Sequence, residues 1–244
     1  WDLNKIAQLL FFIALSATVV GLICARTKAK RWWTGGLGLL LSAVLLTGYF
    51  MPVSVPVMDL SASSVFADAA YYETIHAGKQ RNVAADFRVK KYRLDFSMGL
   101  NLTGRAKVYV DRSELKSYRF TLYHGYKVKQ VTDQTGAALD FRREYDYVTV
   151  TRGGAAVEYL CLEYTGSSPQ YYSGYAGACL PANFAYYPIP GYLELFMDSY
   201  YGFIDCSLPY DTAFDVHCSG RKQMYCNLAA RGDNHFAGNA RSIT

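Results

Sequence analysis

The sequence predicts an all-β antiparallel sandwich outside the cytoplasm, preceded by a two-helix transmembrane hairpin. Two long apolar stretches without charge lie within residues 1–59, and a short run rich in Lys and Arg separates them. From Phe87 onward, apolar and polar residues alternate with a period of two, which is the pattern of half-buried strands. The chain therefore divides into a hairpin at 1–59, a connector at 60–84 and a sandwich at 85–244.

The two apolar stretches predict membrane-spanning helices at about residues 6–25 and 33–51. Each is close to the ~20 residues that cross a bilayer core as a helix. Trp32 and Trp33 stand at one end of the second span, as in an aromatic belt, and Pro52 follows the other end, where proline stops a helix. A buried hairpin of a soluble protein and a signal peptide are the alternatives. The first would show a polar face, and the second would lack a second span.

The positively charged loop at residues 26–31 predicts the orientation of the hairpin. Short loops rich in Lys and Arg stay in the cytoplasm. Residues 60–244 are then extracytoplasmic, and we expect a multi-pass protein of the cell membrane with the lipid bilayer as a partner. Because the chain begins with Trp1 on the outer side, we interpret it as part of a longer protein with further spans upstream.

The charge distribution argues against nucleic acid as a partner. The net charge of +5 divides into +3 over residues 1–59 and +2 over residues 60–244. The larger region is therefore close to neutral, without the basic stripe that binds nucleic acid.

Turn signals separate the expected strands of the sandwich. The first strands are expected in KKYRLDFSMGL, GRAKVYVDR, SYRFTLYHGYKVKQVTD, LDFRR, YVTVT and VEYLCLEYTG. Turns are expected at Gly104, Gly125, residues 133–136, Asp146 and Gly153–Gly154. A Gly/Pro/Tyr-rich excursion then interrupts the pattern, and strands resume in DTAFDVHC, KQMYCNLA and HFAGNARSIT. Strands at this spacing, without long helical patterns between them, indicate a sandwich or barrel.

The histidines give no metal or catalytic signature. None of the four belongs to an H-E-x-x-H motif, and no two lie four residues apart on a helix, the spacing that lets two imidazoles share a zinc ion. His217 precedes Cys218, but neighbours on a strand point to opposite faces of the sheet. The sequence also has no nucleophile elbow and no phosphate-binding loop. We therefore predict no catalytic residue and no metal ligand. The histidines are His76, His124, His217 and His235.

Five cysteines lie in the predicted extracytoplasmic region, where disulfides form. Cys218 and Cys226 flank a segment that suits a hairpin turn, and they are the disulfide candidates. Connectivity cannot be read from a sequence and five is an odd number, so pairing and simple burial are equally good interpretations. The five are Cys161, Cys179, Cys206, Cys218 and Cys226.

Several motifs follow one another in a characteristic order from Arg88 to Thr244. They are YRLDFSMGLNLTGRAKVYV, YRFTLYHGYKVKQVTDQTGAALDF, VEYLCLEYTG, AYYPIPG and PYDTAFDVHCSGRKQMYCNLAARGDNHFAG. This order resembles the N-terminal β-domain of the aminopeptidase N-like zinc metallopeptidases. With the hairpin in front, the chain also resembles the junction between ABC transporter permease helices and a peptidase-like part.

The resemblance implies a membrane-anchored accessory domain. In the family, zinc in a following catalytic domain carries out hydrolysis, and its H-E-x-x-H signature does not occur in this sequence. We therefore expect this fragment to be inactive and without a cofactor. Its parent would be a zinc metalloaminopeptidase that acts on peptide substrates, and other transporter subunits would be partners.

The resemblance also points to a substrate rim. The family's N-terminal domain caps the catalytic cleft, which makes Tyr186, Tyr187, Pro188 and Pro190 the rim candidates. The family carries a Gln or Glu that contacts the substrate's amino terminus. Gln170 and Glu194 lie near the corresponding region, but neither sits in a matching motif.

A non-catalytic binding module is the alternative function. The tyrosine-rich stretch 171–201 would then contact a peptide, a glycan or a protein, and the sandwich would sense or scaffold for a transporter. For any single tyrosine, packing in half-buried strands and loops is the simpler explanation.

Overall fold

The computed structural model describes residues 3–24, 27, 33, 35–43, 68–99, 101–171, 173–174, 177–197, 202–220 and 223–244. Its contacts divide the chain into two compact units, Trp1–Val53 and Ser54–Thr244, and each is described by itself.

The first unit contains two apolar helices. Helix α1 covers Leu3–Cys24, and helix α2 covers residues 35–43. The two helices approach closely through small residues, since a Cβ on Gly38 would overlap the side chain of Thr18 and one on Gly35 would lie 3.1 Å from Leu22 Cδ2.

Within the helical residues whose side chains the structure describes, no segment is both long and apolar enough to cross a membrane. Parts of both predicted spans, residues 25, 34 and 44–51, lie outside the described residues, as does the loop 26–31 apart from Thr27. The transmembrane hairpin and its orientation stay predictions.

The second unit begins with a short helical segment and continues almost entirely in strands. Helical residues 68–70 lead into one π-helical turn, Tyr71–Ile75. The strands are β1 Val89–Met98, β2 Leu102–Val110, β3 Ser117–Thr121, β4 Tyr126–Thr132, β5 Phe141–Glu144, β6 Tyr147–Thr151, β7 Tyr159–Gly166, β8 Ser173–Gly174, β9 Gly177–Ala178, β10 Ile189–Pro190, β11 Phe196–Met197, β12 Gly202–Phe203, β13 Thr212–Ser219, β14 Ala229–Gly232 and β15 His235–Ala240.

Two sheets share one core, as the sandwich prediction requires. A seven-stranded sheet has the order β14-β15-β13-β1-β2-β7-β4, and a four-stranded sheet has the order β10-β3-β6-β5. Alternate residues of β1 and β2 point into the core, which explains their period of two. Buried side chains from both sheets belong to the same apolar cluster.

One strand pair departs from the predicted antiparallel arrangement. Strand β13 runs parallel to β1, with Leu94 opposite Val216 and Asp95 opposite His217. Parallel neighbours require a long connection, and here the chain from β2 to β12 supplies it. The larger sheet is therefore mixed.

Gly104 is expected in a turn, but it lies in a strand. It lies inside β2, opposite Tyr164 of β7, and a Cβ there would overlap the tyrosine ring. A glycine within a strand often marks such a close approach. Strand β1 ends at Met98 and β2 begins at Leu102, so the chain reverses direction before Gly104 is reached.

Candidate functional site

A cavity of about 420 Å³ opens at one end of the sandwich, and we call it the end cavity. Residues from β13, the segment 223–226 and the last two residues of the chain meet there. The lining is mainly aromatic, aliphatic and sulfur-containing: Phe96, Met98, Ala178, Cys179, Leu180, Tyr186, Val216, Cys218, Gln223, Met224, Tyr225, Cys226, Phe236, Ile243 and Thr244.

Cysteine thiols form part of this wall. Cys179, Cys218 and Cys226 are all free in the structure, so the predicted disulfide between Cys218 and Cys226 is not formed here and stays a prediction. Burial, with a further contribution from Cys226, raises the pKa of the Cys218 thiol to about 11. A thiol with such a pKa is protonated at neutral pH and is a poor nucleophile. In the reduced chain, the protonated thiol of Cys218 therefore contributes an apolar surface to the cavity wall.

The four rim candidates lie inside the β unit. Tyr187 is 1% exposed, Tyr186 is 3% exposed, and Pro188 is also buried. Pro190 belongs to β10, an edge strand of the smaller sheet, where its missing N–H costs no ladder bond. Packing within this unit is the role that the structure gives Tyr186 and Tyr187, because both belong to the core cluster. The rim role stays a prediction, and Tyr186 is the member that reaches the end cavity.

Gln170 and Glu194 do not line this cavity. Gln170 is buried, and its backbone N–H donates to Ser168 Oγ at 3.2 Å. Glu194 is exposed. The substrate-contacting role of the family's Gln or Glu stays without structural support at both positions.

A group of three potential metal ligands lies on the outer face of the larger sheet. His235 Nε2 lies 2.9 Å from Asp215 Oδ1, and His217 Nε2 lies 3.4 Å from the same oxygen. Partial burial acts to raise the pKa of Asp215, but the hydrogen bond with His235 and the charges of Lys91, His217 and His235 together lower it. The sequence predicts no metal ligand, and that stays a prediction; the sequence pattern does not reveal this group, because its residues meet only through strand pairing.

A second polar group, the acid–histidine cluster, consists of Asp68, His76, His124 and Asp146. His76 Nε2 lies 3.9 Å from Asp146 Oδ2, and His124 Nδ1 lies 3.3 Å from Asp146 Oδ1. Two tyrosine hydroxyls donate to its carboxylates, from Tyr72 to Asp146 at 2.9 Å and from Tyr123 to Asp68 at 2.5 Å. This cluster ties residues 68–76 to the turns after β3 and β5.

Burial shifts two members of this cluster, Asp68 and His76, toward their neutral forms. It raises the pKa of the Asp68 carboxyl and lowers the pKa of the His76 imidazole. His76 is completely buried, and neither ring nitrogen has a hydrogen-bond partner among the described residues. The arrangement suits a structural junction whose strength depends on pH.

No family model and no curated protein matches the chain. Solved structures with a partial likeness include an M1 zinc metallopeptidase from Deinococcus radiodurans, at 13% identity over 65% of this chain and 39% of that chain, with a TM-score of 0.41. Yeast LTA4 hydrolase in complex with Bestatin matches at 9% identity over 63% of this chain and 26% of that chain, with a TM-score of 0.45. Native leukotriene A4 hydrolase from Saccharomyces cerevisiae matches at 8% identity, 71% and 30% coverage and a TM-score of 0.42.

This chain therefore spans less than half the length of each of these enzymes. The likeness concerns a β-rich region at low identity, and zinc and peptidase chemistry belong to the named enzymes. None of the three is described as a transporter permease, so that part of the resemblance stays a prediction.

Proposed function

We propose that this chain is a membrane-anchored, extracytoplasmic β-domain that serves as the non-catalytic N-terminal part of an aminopeptidase-like protein. Membrane anchoring is inferred from one observation, the exposure of large apolar side chains on both helices of the first unit. The aminopeptidase assignment rests on the motif order from Arg88 to Thr244, and the orientation rests on the basic loop.

The exposed apolar side chains lie on more than one face of each helix. Burying one such side chain stabilises a protein in water by about 1.5–3 kcal/mol, so leaving many of them in water is costly. Lipid removes that cost. The exposed fractions are Leu10 46%, Phe12 55%, Ile13 55%, Leu15 41%, Val19 49%, Val20 58% and Ile23 72% in α1, and Leu37 69%, Leu39 71%, Leu40 66% and Leu41 51% in α2.

The contact between α1 and α2 fits the same environment. Helices in lipid gain little from the hydrophobic effect, so they associate through close backbone approach at small residues. Gly38 lies against Thr18, and the Thr18 hydroxyl donates to Ala14 O at 2.7 Å within its own helix. A hydrogen bond within the helix lowers the cost of placing this hydroxyl in an apolar surrounding.

The family's catalytic zinc is not assigned to this chain. Its ligands belong to an H-E-x-x-H motif on a helix, and the sequence contains no such motif. Hydrolysis would therefore belong to a separate domain.

Extraction of cell membranes tests the anchoring. We expect the full chain to remain in the membrane pellet after an alkaline carbonate wash and to enter solution only with detergent. In a matched variant, Leu37, Leu40 and Leu41 are changed to Lys. These changes place three charges in an apolar span, and each charge near the centre of a membrane-spanning helix costs about 2.5–3.5 kcal/mol. Release of the unchanged chain by carbonate would contradict the proposal.

The end cavity favours a second candidate function, the binding of a small apolar ligand or peptide side chain. Its volume of about 420 Å³ lies within the range of small-molecule sites, and its wall is largely apolar. Ala178→Phe would fill the cavity, and it is expected to reduce binding of the apolar dye ANS. Tyr159→Ala, outside the cavity, is the control. Equal dye binding by the unchanged chain and the Ala178→Phe variant would count against this candidate.

A further inference from the structure

Strand register brings three side chains to one spot on the outer face of the larger sheet. Asp215 and His217 lie two residues apart on β13 and therefore point to the same face. His235 of β15 pairs directly with His217. The alternating residues Phe214, before Asp215, and Val216, between Asp215 and His217, are buried in the core, so Asp215 and His217 lie on the outer face.

Two imidazoles and one carboxylate converge there. The imidazole rings of His217 and His235 stack with centroids 3.9 Å apart and an angle of 15° between their planes. Both Nε2 atoms approach Asp215 Oδ1, at 3.4 Å and 2.9 Å, and the three donor atoms all lie within 4.8 Å of one another.

We propose that Asp215, His217 and His235 form a binding site for a divalent transition-metal ion of the zinc type, with the remaining position open to water. Zinc bonds to imidazole nitrogen at about 2.0–2.1 Å, so two ligand atoms of a tetrahedral site lie about 3.4 Å apart. The distance from His217 Nε2 to Asp215 Oδ1, 3.4 Å, matches this value, and His235 Nε2 lies 2.9 Å from the same oxygen. Two imidazoles with one carboxylate is also a donor set that zinc and its neighbours in the periodic table prefer to calcium or magnesium.

The backbone holds the ligands in place before an ion binds. Strand β13 lies between β1 and β15, and hydrogen-bonded ladders on both sides fix its position. The side chains of His217, His235 and Asp215 are 40%, 32% and 22% exposed, so an ion can reach them from solvent without a change in fold. Little conformational entropy is then lost on binding.

One neighbouring charge opposes a cation at this site. Lys91 Nζ lies 3.6 Å from Asp215 Oδ2, the carboxylate oxygen that is not shared with the histidines. Oδ1 stays available to the ion, but the ammonium lowers the affinity through repulsion. The competing explanation is a hydrogen-bonded network in which Asp215 simply accepts from both imidazoles.

Cobalt titration separates the two explanations. The full chain without a histidine tag is held in detergent micelles, treated with chelator and titrated with Co²⁺, whose visible absorption reports ligand number, and Zn²⁺ is then added as competitor. His217→Gln, His235→Gln and Asp215→Asn are each expected to weaken Co²⁺ binding by at least about tenfold, and the double histidine variant is expected to lose the signal.

Asp95→Asn is the matched control. Asp95 pairs with His217 from the β1 side, but its carboxylate is not among the three clustered donor atoms. We expect this variant to bind Co²⁺ like the unchanged chain, and circular dichroism checks that every variant is folded. The proposal is overturned if the unchanged chain gives no saturable Co²⁺ signal. It is equally overturned if the double histidine variant binds Co²⁺ as tightly as the unchanged chain.

Discussion

Tyr186 joins two parts of the β unit that are far apart in sequence. Its ring is buried against Tyr187 and Phe96, with ring centroids 5.1 Å and 5.8 Å away, and it forms part of the cavity wall. Its hydroxyl donates to Ile243 O at 2.8 Å. A tyrosine in this position holds the last residues of the described chain against the core.

Removal of this hydroxyl is expected to destabilise the protein modestly. Tyr186→Phe leaves the ring in place but leaves Ile243 O without its donor, which costs about 1 kcal/mol. Tyr186→Ala removes the ring as well and is expected to cost about 3–5 kcal/mol. The free energy of unfolding in urea measures both. Equal losses for the two variants would show that the ring contributes nothing.

The site residues differ in how far the sequence could reveal them. Tyr186 and Tyr187 are rim candidates by resemblance, and packing is the simpler explanation for any single tyrosine; the structure buries both, and the rim role stays a prediction. The histidine group was missed, because His217 and His235 lie far apart in the chain and meet only in the β13–β15 register. The sequence signal that was available is Asp-x-His on a strand, which places both side chains on one face.

Among the secondary-structure elements, strand β2 depends on Gly104, its third residue. Tyr164 of β7 crosses over Gly104, and its hydroxyl donates to Tyr186 O at 2.9 Å. Gly104→Ala would push the ring away and is expected to destabilise the fold by about 1–3 kcal/mol, as overpacking does.

Gly99→Ala is the control for this prediction. The nearest atom to a Cβ at Gly99 is Asn101 O, 3.7 Å away, so no overlap arises. Urea unfolding of both variants is the measurement. A Gly104→Ala variant as stable as Gly99→Ala would show that Tyr164 can move without cost.

The short helical segment 68–75 is expected to hold less firmly at acidic pH. Burial lowers the pKa of His76 below its usual 6.5, so the folded chain binds fewer protons than the unfolded chain. The contribution of His76 to the free energy of unfolding is fully present above pH 6.5. It is lost as the pH falls toward the lowered pKa. Asp68 acts in the opposite direction, because its raised pKa gives stability that is lost as pH rises through it.

His76→Phe removes the first effect and keeps a ring of similar size. We expect the unchanged chain to lose more stability than this variant between about pH 7.5 and about pH 5.5. Asp146, His124 and Lys79 also act on His76 through their charges, so the comparison is made with all three unchanged. Urea unfolding at both pH values provides the measurement, and parallel losses would contradict the assignment to His76.

Elements with a regular pattern were predictable, and those formed by distant pairing were not. The alternation in KKYRLDFSMGL predicts β1, because one face of that strand is buried and the other is exposed. Strands β8 to β12 are two residues long, too short for a period to appear. The parallel pairing of β13 with β1 depends on a connection of more than a hundred residues, which no local pattern encodes.

On the scale of the whole molecule, the two units differ in where their apolar side chains lie. In the β unit, large apolar side chains fill one shared core. In the first unit, they cover the surfaces of α1 and α2. A sandwich with its own core can stand in water, and exposed apolar helix surfaces are stable in lipid, so the membrane proposal assigns one environment to each unit.

Topology labelling in intact cells tests this assignment most directly. Lys129 of β4 is exposed and Thr27 lies in the basic loop, and the membrane proposal places these two positions on opposite sides of the membrane, so Lys129→Cys and Thr27→Cys test it. Each variant is treated with a membrane-impermeant maleimide before and after cell lysis, and mass spectrometry of the labelled peptide distinguishes the new cysteine from the native ones. The account predicts labelling at residue 129 in intact cells and at residue 27 only after lysis. Labelling at 27 in intact cells, or protection of 129 until lysis, would contradict it.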